Sequence, residues 1–162
     1  MSSTLKWSID PEWDEIEQVS QESIQFLSSN QVDDDTVQTF HMVICELVEN
    51  SLKYGDFSST KKKVDIKVSI DKKMATVEVR NPFKEEMRPH LERLDKIVQW
   101  IRGFQDPFQA YLEKLKEISK KPLDDEESGL GLARIAYEGQ AIIDFFVGED
   151  DQLNVSAVSD IE

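Results

Sequence analysis

Glu46, Asn50 and Lys53 lie four and three residues apart in the stretch Glu46-Leu-Val-Glu-Asn-Ser-Leu-Lys-Tyr-Gly55, a spacing that puts all three on one side of a helix. A carboxylate, an amide oxygen and an ammonium in one row can orient a water or hydroxyl, hold a hard cation and neutralise a phosphate. Far downstream, Ser128-Gly-Leu-Gly-Leu132 places two glycines at the mouth of a predicted helix. There the backbone N–H groups, unobstructed by side chains, can approach an anion. Each cluster alone is a weak signal; together they point to a nucleotide site.

These residues need elements to position them. Val37, Phe40, Ile44, Leu47 and Ser51 define a neighbouring face of the first helix, expected to enter the core. The aspartates at 33–35 are N-cap candidates for it, and Gly55 is placed to end it as a C′ residue. Upstream, Leu5, Trp7 and Ile9 alternate with polar residues as in a short strand, and Pro11 is expected to start a helix running to about residue 29. Downstream, Val64, Ile66, Val68 and Ile70, a turn at Asp71-Lys-Lys73, then Ala75, Val77 and Val79 read as a hairpin closed by Asn81-Pro82.

Residues 84–121 are charged and helix-prone, with Leu91, Leu94, Ile97, Val98 and Ile101 on one periodic face and a break between Gly103 and Pro107. The acidic run 124–127 leads into the glycine cluster, whose helix extends to about Tyr137. Ile143, Phe145 and Val147, followed by Leu153, Val155 and Ala157, form a last hairpin. This order predicts an α+β protein, a two-layer sandwich with a mixed, mostly antiparallel sheet and helices on one face. The 162 residues are read as one domain, with 84–127 as a helical insertion.

A net charge of −14 argues against binding a nucleic acid backbone, which calls for a basic face. No apolar stretch reaches the length of a membrane span, and the first residues lack a signal peptide's apolar region. Cys45 is the only cysteine, which excludes an internal disulfide and fits a reducing cytoplasm; its expected role is a small buried apolar residue. His90 is read as a surface histidine.

The two clusters resemble the N-box and the distal glycine box of the GHKL, or Bergerat-fold, ATPases, a superfamily of gyrase, mismatch-repair ATPases, histidine kinases and anti-sigma-factor serine kinases. The resemblance spans roughly residues 36–160. It implies ATP or ADP with Mg²⁺ as cofactors. By resemblance, Glu46 takes the place of the general base, Asn50 that of the Mg²⁺ ligand, Lys53 meets phosphate and Tyr54 lies against adenine. Gly129 and Gly131 let the backbone reach the phosphates, Leu130 and Leu132 anchor the turn, and Ser128 adds a hydroxyl donor.

One box departs from the superfamily pattern. Where its members carry Asp-x-Gly-x-Gly, this chain has Asn81-Pro-Phe-Lys84. Asn81 offers an acceptor and a donor side by side to an adenine edge, and Phe83 is large enough to fill the adenine pocket. Only about 35 residues precede the N-box helix, and no transducer segment follows, so the chain is most similar to the single-domain anti-sigma-factor serine/threonine kinases. That implies a cytoplasmic homodimer in partner-switching signalling, with an antagonist or sigma factor as partner and neither nucleic acid nor membrane. The alternative is a degenerate, non-catalytic member that serves as a protein-binding module with weak or no nucleotide binding.

Overall fold

The computed structural model describes residues 2–55, 57, 63–120 and 130–161, with Tyr54 and Ile118 described by their backbone alone. Five strands, β1 (Ser2–Ile9), β2 (Val64–Asp71), β3 (Met74–Pro82), β4 (Ala141–Val147) and β5 (Gln152–Asp160), form one sheet in the order β1-β2-β3-β5-β4. Side chains alternate as the pleat requires. Val64, Ile66, Val68 and Ile70 of β2, Ala75, Val77 and Val79 of β3, and Leu153, Val155 and Ala157 of β5 are buried on one face.

Helices α1 (Glu15–Ser29), α2 (Asp34–Tyr54) and α5 (Leu130–Tyr137) pack their apolar sides on that face, completing the two layers. The opposite face is polar over most of its width. No helix among the described residues is long and apolar enough to cross a membrane.

Every described strand pairing is antiparallel, so the sheet is not the mixed one expected. The reason is topological. The β1-to-β2 connection holds two helices rather than the single crossover helix of a parallel βαβ unit. Strands β3 and β4 do run in the same direction, but β5 pairs with both and separates them.

Local chemistry explains the helix ends that matter for the site. Asp33 caps α2, its carboxylate accepting from the Thr36 backbone N–H and hydroxyl, both at 2.9 Å, which holds its pKa below the usual carboxylate value. The core face of α2 is the expected one, with Val37, Phe40, Ile44, Leu47 and Ser51 all buried. Gly55 ends the helix with an ordinary φ of −76°; glycine is required there by close approach. An ideal Cβ would fall 2.6 Å from the Phe57 ring and 2.8 Å from the Ser51 carbonyl oxygen. Helix α1 starts at Glu15 rather than at Pro11, after a turn in which Glu12 N–H donates to the Asp10 carbonyl.

After β3, a 3-10 turn at Glu85–Met87 leads into α3 (Arg88–Arg102), and α4 (Pro107–Ile118) follows with Asp106 as N-cap. Helix α4 lies against α5 through Phe108 and Tyr111, whose rings sit 5.0 and 5.3 Å from that of Tyr137. Lys114 of α4 places its ammonium 4.7 Å from the centre of the Trp100 ring on α3. At the far end of α3, Arg102 donates from Nη2 to the Ile143 carbonyl on the edge strand β4, with Nη2 3.7 Å from the Asp144 carboxylate.

Candidate functional site

The polar row of α2 opens into a cavity of about 110 Å³ roofed by α3. Glu46, Glu49, Asn50 and Lys53 form its polar wall, and Gly131 and Leu132 approach from the start of α5. Asn81 and Phe83 close the end at β3, while Leu153 and Val155 of β5 form the apolar floor. Met87 of the 3-10 turn and Leu91, Leu94 and Ile97 of α3 add an apolar roof, and His90 and Arg93 of α3 bring nitrogen donors to the same space. Residues from five separate segments of the chain thus converge on one concavity.

The Glu46 carboxylate lies at the junction of α2 and α5. Its Oε1 is 3.6 Å from Arg134 Nη1, and its Oε2 is 2.5 Å from the point where a Cβ on Gly131 would stand. Burial first, and then the neighbouring Glu49, raise its pKa above the ordinary carboxylate value, against the opposing pull of Arg134 and Lys53. A raised carboxylate pKa at a cavity mouth suits a group that must accept a proton. Next to it, Cys45 is pushed up to about 11 by burial and by Glu49 and Glu46, which keeps it a thiol at neutral pH, as expected for an inert packed cysteine.

Asn81 is 2% exposed and held on both sides of its amide. Ser51 donates from Oγ to Asn81 Oδ1 at 3.0 Å, and Asn81 Nδ2 donates to the Pro82 carbonyl at 3.0 Å. One lone pair on the oxygen and one hydrogen on the nitrogen are left for a ligand. Phe83 is buried at the cavity end, its backbone N–H donating to the Asp151 carbonyl at 2.8 Å. Arg88 lies over its ring, 5.8 Å from the centroid, and is itself clamped by two 2.7 Å bonds to Glu85.

Of the residues singled out from the sequence, Glu46, Asn50, Lys53, Asn81, Gly131 and Leu132 are brought together in this cavity. Leu132 is buried and anchors α5 to the core, while Leu130 opens the helix outside the cavity wall. Ser128, Gly129 and the Tyr54 side chain lie outside the described residues. Three cavity or near-cavity residues escaped the sequence reading: His90, Arg93 and Arg134. His90, expected on the surface, is half-buried and faces the cavity because α3 lines it together with α2. Arg134 carried a local signal only for its partner one turn on, Glu138, whose Oε2 is 2.6 Å from Arg134 Nε.

The donor set fits a magnesium nucleotide in its general chemistry. Among the described residues no cluster of three or more His, Cys, Asp or Glu could hold a metal. A divalent ion here would therefore draw on the Asn50 amide oxygen, phosphate oxygens and water, which is the usual habit of Mg²⁺. Lys53 and Arg93 would offer cations to a phosphate, and the apolar floor and roof would suit a flat base.

No protein-family model matches the chain, and no curated protein matches it in sequence. Among solved structures it is similar to a chain in the crystal structure of the SiaB–SiaC complex from Pseudomonas aeruginosa, with a TM-score of 0.70 and 18% identity over 95% of this chain and 88% of that one. At that identity the likeness is one of fold.

Proposed function

We propose that this chain is an ATP-binding regulatory protein of the anti-sigma-factor serine/threonine kinase type, acting on a partner protein in partner-switching signalling in the cytoplasm. The observation that carries the reading is the meeting of Glu46, Asn50 and Lys53 with Gly131 in one cavity. Residues of α2 and of the start of α5, distant in sequence, line the same cavity, which supports the reading. The structural neighbour is a complex of two proteins, which supports a protein partner for this chain as well.

In this reading the 162 residues are one domain with 84–127 as a lid-like insertion, of which 121–127 lie outside the described residues and α3 lines the nucleotide cavity. Bound ATP with Mg²⁺ would supply the phosphoryl group and offset its charge. The chain's own part is positioning. Asn50 offers its amide oxygen to the metal, Lys53 meets phosphate charge, and the backbone at Gly131 lies close to the same point. Glu46 would accept the proton from a serine or threonine hydroxyl of the partner as that oxygen bonds to the γ-phosphorus and the bond to the bridging oxygen breaks, releasing ADP. Asn81 presents its remaining donor and acceptor to the base.

A second reading is favoured by Asn81 and Phe83. With two of the Asn81 hydrogen-bonding positions engaged and a phenyl ring in the cavity, the domain would serve as a non-catalytic protein-binding module. Calorimetric titration of the protein with ADP and Mg²⁺ separates the two. The kinase reading expects saturable heat, and then transfer of labelled phosphate from ATP to a candidate antagonist that Glu46→Ala abolishes. Absence of heat at millimolar nucleotide would leave the binding module as the reading.

A further inference from the structure

We propose that Arg134 is a positioning residue for Glu46, holding its carboxylate as an anion beside the backbone of Gly131. The proposal rests on the reading of Glu46 as proton acceptor and adds a residue to that site. The geometry is a relay across two helices. Arg134 Nη1 is 3.6 Å from Glu46 Oε1, an ion-pair distance, while Arg134 Nε is fixed by Glu138 Oε2 at 2.6 Å. Arg134 thus bridges Glu138 on its own helix and Glu46 on α2, whose side chain is 22% exposed against 38% for Glu138.

Other charged or titratable groups face or adjoin the same carboxylate. Glu49, Lys53 and the Cys45 thiol are on α2, and His90 and Arg93 reach the cavity from α3. Lys53 shares the task of balancing the negative charge, but an ammonium on a flexible stem sets no orientation. A guanidinium keeps its charge throughout the working pH range and presents a rigid fork. With one arm held by Glu138, the other can offer Glu46 only a narrow set of positions.

The test is a ¹³C NMR titration of the Glu46 carboxyl carbon in the full chain, comparing wild type with Arg134→Gln and Arg134→Lys. The expected result is a midpoint raised by roughly half to one pH unit in Arg134→Gln, and largely restored in Arg134→Lys. In phosphoryl transfer the acid limb of the pH–rate profile should move upward by a similar amount, with KM for ATP little changed. An unmoved midpoint in folded Arg134→Gln overturns the proposal, as does an unmoved acid limb in a variant that still transfers phosphate. If Arg134→Gln does not fold, Arg134→Lys decides: a midpoint near wild type with kcat lowered supports a fork that aims the carboxylate, and a wild-type kcat overturns it. Because the titration requires no catalysis, a shifted midpoint without any phosphate transfer would uphold Arg134 and sink the kinase reading alone.

Discussion

The carboxylate of Glu46 occupies the space that a side chain at Gly131 would need: an ideal Cβ there falls 2.5 Å from Oε2 and 3.4 Å from Cδ. The obstructing atoms are the far end of a flexible side chain, so the carboxylate rather than the helix gives way. Gly131→Ala should therefore leave the fold intact. It should even gain up to about 1 kcal/mol from the better helix propensity of alanine. The displaced Glu46 would lose its contact with Arg134, and phosphate transfer should fall by at least tenfold. Thermal unfolding and a transfer assay on the same preparation check both halves of the expectation.

Asn81→Asp looks like a restoration of the superfamily's aspartate, but the structure assigns it a cost. Asn81 Nδ2 donates to the Pro82 carbonyl, and an aspartate would set an oxygen against that oxygen in a nearly sealed site. Losing the bond and burying a charge should destabilise the chain by about 1–3 kcal/mol. At this chain length that corresponds to a Tm lower by roughly 2–4 °C for each kcal/mol. Differential scanning calorimetry reads this directly, and an unchanged or higher Tm would show that Ser51 alone satisfies the position.

Glu46 is expected to lower the stability of the fold at neutral pH. Its pKa is raised in the folded state, chiefly by burial, so the folded chain holds this proton more tightly than the unfolded chain does. The cost is absent below the unfolded carboxylate value of about 4.3. It grows as pH climbs from there to the higher folded value, and is constant above. Glu46→Gln should raise Tm at pH 7, and the gain should vanish as pH falls towards 4. Thermal melts at several pH values test the sign; a gain that persisted in acid would assign it to packing rather than to ionisation.

Arg102 guards an open sheet edge. It donates to the outward Ile143 carbonyl while the Asp144 carboxylate accepts from the outward Phe145 N–H at 2.9 Å. Two groups that a further strand would pair with are thus already engaged. Beside them Ile142 and Phe146 are 70% and 61% exposed. Arg102→Ala should cost about 1 kcal/mol or less of stability and should promote association beyond the wild-type state, visible by light scattering as a rise in mass with concentration. Unchanged mass at high concentration would show that Asp144 protects the edge by itself.

What could be read in advance was whatever the chain encodes locally. The α2 core face follows from helical spacing, and Asp33 caps because its side chain reaches Thr36 within one turn. The hairpins follow from alternation and their turn residues. What was hidden depends on distant segments meeting. The insertion of β5 between β3 and β4 is a matter of topology. The placement of His90 and Arg93 at the cavity depends on where α3 comes to lie, and the Glu46–Arg134 pair spans two helices with no shared sequence signal. Asn81 was legible as a substituted position, but its engagement by Ser51 depends on how closely β3 approaches α2.

Trp100 rides on α3 with its ring centre 4.7 Å from the Lys114 ammonium and 4.7 Å from the centre of the Phe104 ring. The other tryptophans, Trp7 and Trp13, belong to β1 and to the turn before α1. Indole emission responds to nearby charge, so any movement of α3 away from α4 changes the brightness and colour of this one chromophore. With Trp7 and Trp13 replaced by phenylalanine, the chain becomes its own optical gauge. A stopped-flow trace taken as ligand is added would then time the motion of the cavity roof without any attached dye.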